Sequence, residues 1–175
     1  MATLANAADR DVVSTELFIA APPARVFQAI TDPAQMLRWW GRQDHCRTEE
    51  CKADLRVGGT WSNRGVKADG TAFRIEGEYL EINPPGLLVH TWRSSSMASV
   101  ETVVRWELEA QTVHGLYASG PHRAGTGTLV RIRHQGFGAN TAAAADHYRG
   151  WQQVLGWLRV FLETPAEPPA SLRGS

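Results

Sequence analysis

The stretch TAAAADHYRGWQQVLGWLRVFLE, residues 141–163, decides how the rest of the chain is read. Trp151, Val154, Leu155, Leu158 and Leu162 recur at offsets of zero, three, four, seven and eleven from Trp151. That spacing places them on one apolar stripe of a helix. Asn140 or Thr141 can cap its start. Thr164-Pro165 ends it, because a residue before proline avoids the helical region. A helix with one apolar stripe must bury it against another layer of structure.

The segments ahead of the helix supply that layer. VVSTELFIAA (12–21) alternates and reads as a strand, stopped by Pro22 and Pro23. Two short helices follow, ARVFQAI (24–30) and AQMLRWW (34–40). Asp32-Pro33 is a start signal for the second, and Gly41 is its end. KADLRV reads as a strand that leads to the bend Gly58-Gly59, and TWSNRGV (60–66) is another strand beyond it. TAFRIEGEYLEI (71–82), LLVHTWRS (87–94), VETVVRWELEA (100–110) and TLVRIRHQGF (128–137) are further strands. Asn83-Pro84-Pro85-Gly86 is a turn, since both prolines deny the ladder a donor. Spacings this short suit hairpins, so the sheet is expected to be antiparallel.

Alternation assigns the faces. Phe73, Ile75, Gly77 and Tyr79 share one face, as do Leu88, His90 and Trp92. Thr102, Val104, Trp106 and Leu108 form a third such row, and Val130, Ile132 and His134 a fourth. These rows belong under the helix. The opposite rows, which carry Arg105, Arg131, Arg133, Glu76 and Glu78, belong in water.

Composition narrows the function classes. The 175 residues fit one domain, expected over 11–163 with tails at 1–10 and 164–175. Lys+Arg and Asp+Glu both number 18, so no basic footprint for nucleic acid or anionic membrane is present. The first residues lack an apolar signal region, and no stretch is apolar enough to span a membrane. Two cysteines without an export signal suggest a reducing, cytoplasmic setting. Both lie in DHCRTEEC (44–51). Continued alternation puts Cys51 on the apolar face and Cys46 on the polar one, about 16 Å apart, beyond the roughly 7 Å reach of a disulfide. No metal and no cofactor are expected. Gly125-Thr126-Gly127 precedes a strand and lacks the third glycine of a dinucleotide loop. His114 and His122, in 111–127, have no acidic or cysteine partner nearby in sequence.

Five segments in order, APPARVFQAITDPAQMLRWWG, ADLRVGGTW, IEGEYLEINPPGLLVHTW, the strand ending HQGF, and HYRGWQQVLGWLRVFLE, give the chain a family likeness over about residues 12–163. It resembles the Hsp-90 ATPase activator homologue-like domains of the START, polyketide-cyclase and Bet v 1-like (SRPBCC) superfamily. The resemblance implies an α+β helix-grip fold. A seven-stranded curved antiparallel sheet wraps a long C-terminal helix, with two short helices after the first strand and a cavity between sheet and helix. The segment 111–127 is longer than the tight hairpin usual there. The separate N-terminal domain of the eukaryotic co-chaperones is not expected in this chain.

The leading functional expectation is binding of a small hydrophobic or aromatic molecule in that cavity. The expected lining is Trp61, Phe73, Ile75, Tyr79, Trp92, Val104, Trp106, Trp151, Leu155 and Leu158, with His90 and His134 as its polar groups. One strand separates the two histidines, so their backbones should lie about 10 Å apart. Two alternatives stand beside it. One is a cyclase or hydrolase with His90 or His134 as base. The other is a protein-interaction module, with a chaperone as partner, that presents an apolar patch around Trp157 or 111–127. A homodimer is compatible with each.

Overall fold

Two prolines end the first strand and begin the first helix. β1 (Val12–Ile19) stops before Pro22, and α1 (Pro23–Thr31) opens on Pro23, where a helix has no use for the missing N–H. The structure is a computed structural model, in which residues 11–41, 45–97, 100–113 and 125–165 are described. α2 (Pro33–Trp39) is capped by Asp32, whose carboxylate accepts from Ala34 N at 3.0 Å. Trp39 Nε1 donates to Ala29 O at 2.9 Å and fixes α2 on α1.

The rest is a run of antiparallel hairpins and one helix. β2 (Cys46–Ala53), β3 (Thr60–Lys67), β4 (Ala72–Asn83), β5 (Leu87–Ser94), β6 (Thr102–Val113) and β7 (Gly125–Gln135) join β1 in one sheet of order β1-β7-β6-β5-β4-β3-β2. The turn between β4 and β5 carries a cis Pro84-Pro85 bond. α3 (Thr141–Glu163) matches the range its spacing predicts, and Asn140 caps it by accepting from Ala143 N at 3.0 Å. This is the expected α+β helix-grip arrangement. α3 comes closest to β1, at one edge of the sheet. Glu163 Oε1 accepts from Ala20 N at 2.8 Å and pins the helix end there.

The face assignments hold in β4 to β7. Ile75, Tyr79, Leu88, Trp92, Val104, Trp106, Leu108, Val130 and Ile132 are all buried. On the outer face Arg131 pairs with Glu16 at 3.0 Å and Glu109 at 2.6 Å across three strands. Arg105 pairs with Glu107 at 2.7 Å.

Three expectations change. KADLRV is not a strand to its end: β2 finishes at Ala53, and the chain turns through Asp54–Gly59. The hairpin of β6 and β7 is longer than expected, pairing Gln111 with Gly127 and Val113 with Gly125. Residues 114–124, with His114 and His122, lie outside the described residues. The third change concerns the cysteines. Thr48 faces Gly65 and Glu50 faces Arg64, so Glu49 is an extra residue, a β-bulge. The bulge reverses the alternation before it. Thr48 is buried, and its hydroxyl donates to Trp40 O at 2.7 Å. Cys46 and Cys51 therefore share the inner face, where simple alternation sets them apart. Both are free thiols, half-buried.

A tryptophan-lined candidate binding site

The inner face carries two histidines in one row. His90 on β5 and His134 on β7 both pair with Val104 on β6, so one strand lies between them as expected. Both are buried, and both ring nitrogens of each are engaged. Trp106 Nε1 donates to His90 Nε2 at 3.2 Å, which leaves Nδ1–H to donate to Thr91 O at 2.9 Å. Trp151 Nε1 donates to His134 Nδ1 at 3.0 Å, which leaves Nε2–H to donate to Thr102 Oγ1 at 2.6 Å. Thr102 passes the chain on to Trp92 O at 3.1 Å. The partners thus fix each tautomer.

Burial keeps both rings neutral. It pulls the His90 pKa down to about 4, against a small opposing effect of the Thr91 carbonyl. It pulls His134 down to about 2, and the neighbouring His147 and His90 rings add to the effect. Neither histidine has a lone pair or proton left for a ligand. The expected orienting role of His90 or His134 therefore has no atom to act through in this arrangement.

Around this row the indoles gather. Trp92 lies 5.1 Å from Trp151, 5.5 Å from Trp61 and 6.3 Å from Trp40, centroid to centroid. Trp151 meets Trp106 edge-on at 5.4 Å. Gly77 makes room for this packing: a Cβ there would lie 2.0 Å from Thr91 O and 2.7 Å from Trp61 Nε1. The space left inside is about 20 Å³, the size of one water rather than of a ligand. Trp61, Tyr79, His90, Trp92, Trp106 and Trp151 of the expected set line it, together with Trp40 and Asn63. Three buried polar atoms in that lining, Trp61 Nε1, Asn63 Nδ2 and Trp92 Nε1, have no hydrogen-bond partner.

A larger space opens beside it. A groove of about 760 Å³ runs between α3 and the β2–β5 half of the sheet, the half α3 does not hug. Phe73, Ile75, Trp92 and Trp151 of the expected set line it, with Trp40 and Trp157. Trp40, Trp92 and Trp151 are common to the groove and the enclosed space. Val104, His134, Leu155 and Leu158 line neither, being core at 1% exposure or less.

Sequence reading passes over several groove and wall residues. His147 stands one helical turn before Trp151 on the same stripe. It meets His134 edge-on at 5.0 Å, and its Nδ1 donates to Ala143 O at 2.8 Å. Extending the stripe backward by four residues finds it. Asn63 alternates with Trp61 on β3, so its inward position is also legible. His45 packs at a tilt against Trp157, centroids 5.8 Å apart, and lines the groove beside Cys46. Among the described residues no group of three metal-ligating side chains converges, and no helix is long and apolar enough to cross a membrane.

The family model for "Activator of Hsp90 ATPase homolog 1-like protein" matches residues 20–117, more than half of the chain. Among solved structures, a protein from Chromobacterium violaceum is similar at 24% identity with a TM-score of 0.66, over 89% of this chain and 99% of that one. A protein from Mycobacterium smegmatis is similar at 16% identity and TM-score 0.69, over 91% and 95%. An HSP90 activator from Plasmodium falciparum is similar at 21% and TM-score 0.60, over 89% and 98%. These likenesses concern the fold. No curated protein matches the sequence.

Proposed function

This chain belongs to the activator of Hsp90 ATPase homolog 1-like family, and from that premise we propose that it binds one small, flat, apolar molecule in the groove between α3 and the β2–β5 half of the sheet. The observation that carries the reading is the wall itself. Trp40, Trp92, Trp151 and Trp157 stand with Phe73 and Ile75 around about 760 Å³ of open space. Binding would come from burial of apolar area, worth about 25 cal/mol per Å², with ring stacking added. Val104, Leu155 and Leu158 support the wall from behind. The ligand space is the open groove rather than an enclosed cavity, because the indoles fill the interior.

A thermal-shift screen of aromatic and lipid-like compounds, read in parallel by tryptophan fluorescence, tests this. A ligand at about 100 times its dissociation constant adds roughly 2.7 kcal/mol of stability. The reading predicts hits whose effect weakens in Trp157→Ala. An unchanged midpoint across the screen would sink it.

The interaction-module reading has one observation of its own. Val160 is 49% exposed at the other end of α3, where Arg25 and Arg38 both stack on Phe161 at 5.4 and 5.3 Å, and Leu37 on α2 is 44% exposed. It predicts that the protein raises the ATPase rate of purified Hsp90 and that Val160→Asp abolishes the effect. The enzymatic reading gains nothing from His90 or His134, since a general base needs a free lone pair facing the substrate.

A further inference from the structure

The three unpartnered donors point to the chemistry of the occupant. Asn63 is 1% exposed, and Trp61 and Trp92 are each 7% exposed, so water outside the fold does not satisfy them. An unpaired buried donor costs about as much as a lost hydrogen bond, and folded proteins keep few of them. Here three line a single space of about 20 Å³, room for one oxygen atom. An indole N–H can only donate, so at least two of the three call for an acceptor. None of the surrounding acceptors reaches them: both nitrogens of His90 are committed to Trp106 and Thr91, and neither the Asn63 amide oxygen nor the Tyr79 phenol oxygen bonds to any of the three. Among the described residues no carboxylate lines the space, and the Tyr79 phenol, pushed up to about 12 by burial and then by Asp54, offers no phenolate there. Among the described residues Lys52 is the one charged side chain in the lining, already paired with Glu50 at 2.6 Å.

We propose that this space is a subsite for a single acceptor oxygen, a ketone, quinone or phenol oxygen carried by the flat molecule that the groove takes. The inference rests on the groove reading, because Trp40, Trp92 and Trp151 line both spaces and the ring to which the oxygen belongs would lie among them. The substrate class is then an oxygenated aromatic rather than a plain hydrocarbon or an alkyl chain. The site reads the oxygen through three donors that a ligand lacking it does not engage. Such sites discriminate strongly against the analogue lacking the polar atom.

Fluorenone and fluorene differ by one carbonyl on the same flat frame, and their affinities for the full chain test the subsite. The expected result is that fluorenone binds about tenfold tighter or more. Proton–nitrogen correlation spectra, with indole signals assigned through Trp61→Phe and Trp92→Phe, should show the Trp61 and Trp92 N–H signals moving with fluorenone and not with fluorene. Asn63→Leu should shrink the preference to about threefold. Equal affinities with unmoved indole signals would overturn the subsite and leave the groove standing. If neither compound binds, the groove reading falls and the subsite with it. Should Asn63→Leu fail to fold, the wild-type comparison and the indole signals decide the matter.

Discussion

His134 joins the helix to the sheet: Trp151 on α3 donates to one ring nitrogen, and the other donates through Thr102 to the carbonyl of Trp92. The chain works only while the ring is neutral, and that makes stability depend on pH. Folded, His90 titrates at about 4 and His134 at about 2; unfolded, a histidine titrates near about 6.5. A depressed folded pKa means that the unfolded chain takes up protons the fold refuses. Their contribution is therefore complete above about pH 6.5 and is lost as pH falls toward the folded values. Two such rings cost on the order of 4 kcal/mol between about pH 8 and pH 5. Denaturant unfolding at several pH values measures this loss. His134→Phe should lower stability at about pH 8, where its hydrogen bonds are missed, and roughly halve the slope below about pH 6.5. A slope unchanged by the substitution would show that His134 is not held neutral. Gly77 is a second single-residue test. Gly77→Ala places a methyl against the Thr91 carbonyl and the Trp61 ring, which should cost about 1–3 kcal/mol. It should also move the tryptophan emission, and a variant as stable as the parent would contradict the packing.

Among the elements, the regular ones were legible and the irregular one was not. α3 follows from five apolar residues at helical offsets, and β6 from Thr102, Val104, Trp106 and Leu108 on alternate positions. β2 escaped because Arg-Thr-Glu-Glu-Cys carries no glycine or proline to announce a bulge, and one extra residue reverses a two-residue period. The error mattered for Cys46, which lines the groove instead of the surface. The free state of the cysteines survived it, since they still lie several residues apart along one strand. The histidines were found by alternation, but their partners were not. Which indole reaches which nitrogen depends on side-chain direction across three elements. Placement on the inner face has a chemical consequence for both thiols. Burial and then the charge of Glu50 push Cys51 up to about 12, and burial raises Cys46 as well. Thiolate is the reactive form, so both should react with a disulfide reagent at about pH 8 far more slowly in the folded protein than in denaturant. One fast thiol in the native protein would contradict that burial.

At the scale of the whole molecule, the groove exists because α3 leans toward β1 and leaves the β2–β5 half of the sheet to side chains. Glu163 and Ala20 hold that lean at the helix end, and Trp151 with His134 holds it at the middle. The two glycines of α3 separate the helix's structural role from the groove's. Gly150 lines the groove and Gly156 does not, and a Cβ at either would meet nothing within 4 Å. Glycine inside a helix costs about 0.5–1 kcal/mol relative to alanine, so Gly150→Ala and Gly156→Ala should each raise stability by about that amount. A larger side chain divides them. Gly150→Leu should keep or raise the midpoint of unfolding and weaken aromatic binding by about tenfold or more, because it projects into the space a ligand needs. Gly156→Leu should leave binding as it was. Titration of each variant with fluorenone checks the pair. If both leucines weaken binding alike, the ligand responds to the helix as a whole and not to the groove. If neither does, the ligand lies elsewhere on the molecule.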